Sequence, residues 1–500
     1  MSTGQPQNHY DVAIVGLGPT GATLANLLGK CGVRVLGLDR YPEPYPLPRA
    51  VHFDDEIMRI FQTAGIADEI TGIVRVNVGM RFVDTDGKLL LDWPRPQQVG
   101  PHGWYASYRF HQPELEKILR HSLLNRRTVD LRTGQEVIGL EERGDHVRID
   151  YADRNTGEKR SVDASYVVGC DGANSLVRQS MGTAQTDLGF KERWLVVDLL
   201  LNRPKPELGD HTIQYCNPER PMTYARGPEN RRRWEVALLK GESAEQASEP
   251  ATVWRHLAPW ISPSEAEIER AAVYTFHSIL ADQWRLGRLL IAGDAAHRTP
   301  PFMGQGMCAG VRDAANLAWK LARTVKGNGP QSLLETYTPE RWPHAQAYIE
   351  TAVRLGRLIN ASGTRQALDA AFRRDDGTVR MESISPPLGD GLGSSTDPWR
   401  GTLFPQPVLS DGKRMDDHCG YSPALIADRK LLNDIPDGLR QRFSGICIID
   451  ASGSEAAMGW LSEAERKAVL IRPDRYVFAT ASTQAGLQTA LSTFDRETGG

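Results

Sequence analysis

An α/β fold is predicted by three observations. Residues 10–40 read YDVAIVGLGPTGATLANLLGKCGVRVLGLDR, an apolar run, a glycine turn, a helical stretch and a second apolar run. Residues 166–178 (YVVGCDGANSLVR) bring another apolar run into an acidic, glycine-bearing turn, and residues 286–296 (LGRLLIAGDAA) do so a third time. In an open α/β sheet, ligands bind beyond the carboxyl ends of the strands, so three such turns predict one elongated crevice.

In the first of these stretches, Gly16, Gly18 and Gly21 supply G-x-G-x-x-G with Pro19 and Thr20 between them, and Asp39 closes the second strand. The spacing fits dinucleotide binding: Gly16 for the tight turn, Gly18 for close approach to a pyrophosphate, Gly21 for helix packing. Exposed amides at the helix start favour phosphate, and Asp39 is placed to accept ribose hydroxyls. This unit alone fits a flavin or a nicotinamide dinucleotide equally. A simple nicotinamide dehydrogenase, however, has no use for acidic-glycine turns at 171–172 and 293–294.

The bulk properties bound the rest. A length of 500 residues predicts about three units. With 40% hydrophobic and 24% charged residues the chain is neither disordered nor fibrous. A net charge of -3 carries no basic excess, so no nucleic-acid partner is expected, and the run Arg231, Arg232, Arg233 reads as a solvated loop. The longest apolar stretches fall short of the ~20 residues of a membrane span. The start MSTGQPQNHY has no charged-then-apolar signal, so a cytoplasmic location is expected. Cys31, Cys170, Cys216, Cys308, Cys419 and Cys447 form no CxxC pair and no metal-ligand spacing, which predicts buried free thiols and no metal site.

Together, GLGPTG with Asp39, PRAVHFDDE at 48–56, FHQPELEKIL at 110–119, CDGANSLVR at 170–178, GDAAH at 293–297 and GQGMCAGVRDAANLAWKLA at 304–322 carry a resemblance. The chain resembles the flavoprotein aromatic hydroxylases, the single-component FAD monooxygenases, and among them the 3-(3-hydroxyphenyl)propionate hydroxylases. The likeness covers the chain to about residue 350. It implies FAD as cofactor, NADPH or NADH and O2 as co-substrates, and a small phenolic substrate. By that resemblance Asp39, with Arg40 beside it, holds the adenosine ribose, Arg49 lies along the pyrophosphate or ribose, and Gln112 touches the FAD linker. Asp171 and Gly172 form a turn associated with both FAD and the nicotinamide cofactor. Gly293 precedes Asp294, which bonds a ribityl hydroxyl. Relatives often carry asparagine where this chain has Cys308, so only backbone roles are expected there.

The implied architecture is a Rossmann-like FAD-binding domain of residues 1–72, 104–182 and 280–358. An inserted mixed or antiparallel β-sheet substrate domain spans 73–103 and 183–279, where apolar and polar residues alternate. One helix is predicted over EQASEPATVWRHLAPW. Residues 359–402, rich in Gly, Pro and Ser, read as a linker or arm. Residues 403–500, with GICIIDAS and AVLIRPDRYVFATA, are implied to form a small thioredoxin-like domain. Without CxxC it is expected to pack or to support a homodimer.

The implied reaction passes through a flavin C4a-hydroperoxide that delivers oxygen to an electron-rich ring. Fixed donors near the pyrimidine edge of the flavin are then required, and the amides of Gly304, Gln305, Gly306 and Met307 open a helix there. Pro300 and Pro301 set the turn before it. Activation of a phenol needs an acceptor near its hydroxyl, for which His52, Asp54, His211, Tyr215 and Tyr224 are candidates. For a substrate carboxylate, Arg193, Arg220 and Arg226 are candidates. Phe302 and Met303 serve either as core or as substrate contacts. The expected activity is ortho hydroxylation of a phenylpropanoid-type acid. A larger polyketide-like aromatic, a nicotinamide dehydrogenase and a non-enzymatic flavin sensor are the alternatives.

Overall fold

The computed structural model describes residues 9–359, 364–436, 438, 441 and 443–499, so most of the polar leader lies outside the described residues. Its first sheet runs in the order Arg285–Leu286, Leu289–Ile291, Lys159–Gly169, His9–Val15, Val35–Asp39, Val129–Thr133. His9–Val15 pairs in parallel with Lys159–Gly169 and with Val35–Asp39, and Lys159–Gly169 pairs in parallel with Leu289–Ile291. The three strands that lead into glycine-bearing turns are therefore adjacent and point the same way, which opens all three turns on one edge. Val12, Ala13, Ile14, Leu290 and Ile291 are fully buried, as a parallel sheet covered on both faces requires. The helices Pro19–Lys30 and Gly306–Val325 pack together beside this edge.

The second sheet has eight strands, centred on the long pair Gln185–Leu201 and Ala266–Ala281. Its two faces separate by the strand period of two. Leu195, Val197, Leu199, Tyr224, Trp234 and Val236 bury against Val253 and Leu257 of the helix Pro250–Leu257. On the opposite face, Val196, Arg233, Glu235, Arg270 and Tyr274 look into a cavity. The short strand His297–Arg298 joins this sheet by pairing with Leu280 and Ile279.

Two local expectations change. Arg231–Ala237 is a strand in which Arg232 and Arg233 are each 4% exposed, so the arginine run is not a solvated loop. The single helix predicted over 245–260 is two, Ala244–Ser248 and Pro250–Leu257, because Glu249 precedes proline and is held extended.

Beyond residue 402, a four-stranded sheet runs Cys447–Asp450, Ala424–Ala427, Ala468–Ile471, Val477–Ala481 with only the first pair parallel. It buries its own cluster around Phe404, Ile426, Val469 and Leu461. Buried ion pairs join it to the rest, Arg59 to Asp416 at 2.6 Å and Arg472 to Glu340 at 2.8 Å. Among the described residues no helix is long and apolar enough to cross a membrane.

Candidate functional site

A cavity of about 510 Å³ lies between the turn edge of the first sheet and the inner face of the second. That volume suits a small-molecule or cofactor site. Three segments build one wall, here called the cradle.

In the first segment, Gly16 has φ +93°, and a β-carbon on Gly21 would sit 2.0 Å from the Gly16 carbonyl oxygen, so both glycines are sterically required. Gly18 is extended, with open space beside it, and it lines the cavity with Pro19 and Thr20. Cys170, Gly172 and Ala173 supply the second segment. Asp171 turns inward, its Oδ2 accepting from the Leu176 and Val177 amides and so capping the helix Leu176–Met181.

The third segment holds Asp294, Pro301, Gly304, Gly306 and Met307 at the cavity. Asp294 is exposed between buried Gly293 and Ala295, and its carboxylate has no hydrogen-bond partner among the described residues. The helix Gly306–Val325 begins at this wall without a side-chain cap. Its first amides, on Gly306, Met307 and Cys308, thus have no intrahelical acceptor and are free for a ligand. Gly304 does not share that role, because its N–H closes a turn on the Pro301 carbonyl at 2.8 Å. The Gln305 side chain faces away, its Nε2 donating to Asp54 at 3.1 Å and its Oε1 accepting from Arg312 at 2.9 Å, while its backbone N–H, at the N-cap, has no acceptor among the described residues. Cys308 is fully buried with its thiol toward the carbonyls of His52 and Gly304.

Arg49 and Gln112 also line the cavity. Gln112 accepts from the Arg49 and Ala50 amides and donates one Nε2 hydrogen to Glu116, so it shapes the 49–50 loop and keeps its second Nε2 hydrogen. Asp39 and Arg40 lie outside the cavity. Asp39 accepts from the Leu17 and Tyr41 amides and from Arg120, which leaves one acceptor position on Oδ1. Arg40 stacks on Tyr41.

The opposite wall is the inner sheet face, and its charges form one cluster. Asp198 accepts from Arg233 Nε at 2.7 Å and pairs with Arg270 at 2.6 Å. Arg233 also donates to the Arg49 and Pro48 carbonyls at 2.7 and 2.8 Å, which pins that loop to the sheet. Arg270 donates to the Tyr274 hydroxyl at 2.9 Å, leaving the Tyr274 proton free to be donated. Glu235 lines the cavity with Arg233 at 3.8 Å and with Asp198, Arg270 and Arg109 also near it, and makes no hydrogen bond among the described residues. Burial pushes its pKa above the usual glutamate range, against the pull of Arg233. A carboxyl so shifted is better matched to proton transfer near neutral pH than an ordinary one.

None of the five residues expected to activate a phenol lines this cavity. His52 lies beneath Gly304, bonded to Ser107 at 2.8 Å, and burial followed by Arg109 and Arg95 lowers its pKa to about 3. It is a neutral structural imidazole. Asp54 is taken up by Arg312 at 2.6 Å and by Gln305; burial raises its pKa, but Arg312 outweighs that and holds it low. Tyr215 and Tyr224 project from the outer sheet face, against Trp260 and Trp234, because directly opposed residues share a face: Tyr224 is opposite outward Trp234, and Tyr215 is opposite Met222, itself opposite outward Val236. His211 adjoins Asp210, which pairs with Arg75 and Arg226.

The arginines proposed for a substrate carboxylate are elsewhere too. Arg226 is on the outer face, Arg220 is paired to Glu242 at 2.6 Å, and Arg193 donates to the Glu242 carbonyl. Phe302 packs edge-on against Phe190 and Trp194, and with Met303 it belongs to the core. Replacing Tyr224 by phenylalanine should therefore leave kcat/KM unchanged and cost at most ~1 kcal/mol of stability. A tenfold fall in kcat/KM would return Tyr224 to the site.

Sequence reasoning missed Glu235, Tyr274, Arg233 and Arg270. The available signal was R-x-R-x-E alternation at 231–235, which on a strand places Arg231, Arg233 and Glu235 on one face.

The cradle wall thus offers helix starts without a side-chain cap at Pro19 and Gly306, a bare glycine backbone and an unpartnered carboxylate. A cofactor with phosphates, a polyhydroxyl chain and a ring edge that accepts hydrogen bonds fits these groups, as FAD does.

Comparison with known proteins agrees. Residues 9–352 match the family described as FAD binding domain. A relative from Rhodococcus jostii (strain RHA1), named a probable NADH-specific resorcinol 4-hydroxylase, is 37% identical over 97% of this chain and 94% of its own length. A 3-(3-hydroxy-phenyl)propionate/3-hydroxycinnamic acid hydroxylase from Burkholderia vietnamiensis (strain G4 / LMG 22486) is 35% identical over 98% of this chain and 97% of its own. Among solved structures, the flavin-dependent monooxygenase PieE superposes with TM-score 0.84 at 21% identity, covering 98% of this chain and 99% of that one, a likeness of fold.

Proposed function

Since this chain belongs to the FAD-binding-domain family of flavoprotein aromatic hydroxylases, we propose that it hydroxylates a small single-ring phenol at the carbon next to a ring hydroxyl, with Glu235 accepting the hydroxyl proton. The observation that carries this reading is that the two carboxylates lining the cavity, Asp294 and Glu235, have no hydrogen-bond partner among the described residues and sit on opposite walls.

FAD, when bound, supplies the redox chemistry that joins a reduced nicotinamide and O2 to an aromatic ring. The residues of the chain bind, orient and prepare both partners. Asp294 accepts hydrogen bonds from the cofactor's hydroxyl chain, and the amides of Gly306, Met307 and Cys308 meet the electron-rich edge of its ring. Gly18, Thr20 and Arg49 face its phosphates, and Asp39 keeps one acceptor for the adenosine ribose. Glu235 takes the substrate's phenolic proton, and Tyr274, oriented by Arg270, donates a hydrogen bond to the oxygen left behind. Withdrawing that proton raises electron density at the ortho and para carbons. Position 4 in the name of the resorcinol 4-hydroxylase relative is ortho to one hydroxyl and para to the other, and of these two activated positions we assign the ortho carbon. From the same name we take NADH as the reductant.

A neutral dihydroxybenzene is favoured over a carboxylated phenol. Asp198 and backbone carbonyls already engage Arg233, and Asp198 and Tyr274 engage Arg270, so neither of these two arginines is a spare bidentate cation. The second reading, a hydroxyphenylpropionate, is favoured by Arg298, which lines the cavity with its Nε unpaired. For the C-terminal unit we propose the thioredoxin-like arrangement, supported by its strand order and its single parallel pair.

The test is oxygen uptake with NADH over a panel containing resorcinol, phenol and 3-(3-hydroxyphenyl)propionate, with product identified and peroxide counted. The highest kcat/KM with stoichiometric product is expected for resorcinol. Preference for the propionate would establish the second reading, and peroxide alone from every phenol would refute both.

A further inference from the structure

Behind the cradle, on the side away from the cavity, a buried polar network reaches the C-terminal unit at one residue. Tyr476, in the turn between Ala468–Ile471 and Val477–Ala481, is 4% exposed and donates to Glu56 Oε1 at 2.7 Å. Glu56 Oε2 accepts from Arg312 Nε, and Arg312 donates onward to Gln305 Oε1 at 2.9 Å and Asp54 Oδ2 at 2.6 Å. This arm ends at the residue between Gly304 and Gly306.

The second arm starts at the same hydroxyl. His344 Nε2 lies 3.4 Å from Tyr476 Oη, and its Nδ1 accepts from Arg341 at 2.9 Å. That acceptance assigns the proton to Nε2, so Tyr476 accepts from His344 while donating to Glu56. Arg341 donates to Asp313 Oδ1 at 2.9 Å, and Asp313 Oδ2 accepts from the Gly293 amide at 3.0 Å. This arm ends at the neighbour of Asp294.

We propose that Tyr476 is a positioning residue for the FAD site: through Glu56 and Arg312 on one side and His344, Arg341 and Asp313 on the other, the C-terminal unit holds both turns that present groups to the cofactor. Three features support it. Both turns are short and irregular, without strand pairing of their own at Gly293 or Gln305. Every member of the two arms except the half-buried Asp54 is buried, where an unpartnered polar group is costly. Sites of this kind need placement to about 0.5 Å, which depends on the groups behind them. The inference rests on FAD binding and not on the phenol chosen above.

The test compares Tyr476→Phe with the wild-type full chain by FAD titration, by the visible absorption of the bound flavin and by thermal unfolding of the apoprotein. Loss of the shared hydroxyl should raise the FAD dissociation constant about tenfold or more. The flavin band should move toward that of free FAD, and the FAD affinity should fall by more than any lowering of the apoprotein midpoint accounts for. Wild-type affinity and spectrum would overturn the proposal, as would an affinity loss that merely tracks a lowered apoprotein midpoint. Should the phenylalanine variant not fold, Glu56→Gln, which keeps volume and removes the charge facing Arg312, is read the same way. Unaltered FAD affinity and spectrum there would overturn the proposal equally.

Discussion

Asp294→Ala is expected to bind FAD about 10- to 100-fold more weakly than the wild-type chain, with no change in the thermal midpoint of the apoprotein. A hydrogen bond to a charged group contributes about 1.5–3 kcal/mol, and each 1.4 kcal/mol is about tenfold in affinity. The two outcomes separate because the Asp294 carboxylate is exposed and makes no hydrogen bond within the described chain. Quenching of flavin fluorescence during titration measures the affinity. Full occupancy after gel filtration, with an unchanged dissociation constant, would remove Asp294 from the cofactor site.

Glu235→Gln is expected to lower kcat/KM for the preferred phenol by roughly 10²- to 10⁴-fold, the span of general-base contributions, while FAD affinity stays at the wild-type value. The pH profile carries the sharper test. Burial raises the Glu235 pKa, and the group accepts a proton only as carboxylate, above that pKa. Wild-type kcat/KM should therefore rise with pH along a limb displaced above the usual glutamate value of about 4.3. That limb should vanish in the glutamine variant. If the limb persists with a comparable rate, another acceptor takes the phenolic proton.

Asp294 and Glu235 differ in how far the amino-acid sequence alone points to them. The cradle is legible there in outline because its chemistry lies in consecutive residues. A glycine whose β-carbon would strike a backbone carbonyl, as at Gly21, leaves a mark in the sequence whatever the rest of the fold does. The same is true of an acidic residue held at a strand end, as at Asp294. Within that motif, though, the division of labour is not legible. Gly304 closes a turn with its own amide, and Gln305 turns its side chain toward Arg312, so the free donors are the backbone amides that begin at Gln305.

The substrate wall escapes a sequence reading for a different reason. His52, Asp54, Tyr215 and Tyr224 are plausible by residue type. A strand, however, sends alternate side chains to opposite faces, and which face meets the cofactor depends on the sheet's docking. The arginine run at 231–233 has the look of solvent-facing charge. It is a buried strand because Asp198, more than thirty residues earlier, crosses to meet Arg233 and Arg270.

Short-range sequence thus determined where the backbone must turn tightly, which strands end in those turns and which cofactor class suits them, since those constraints are steric and local. Tertiary structure alone decided that Glu235 faces the cavity, and that one tyrosine near the chain's end stands behind both cradle turns. Pairings between residues far apart in sequence arise only from how strands register and sheets pack, and no local pattern encodes them.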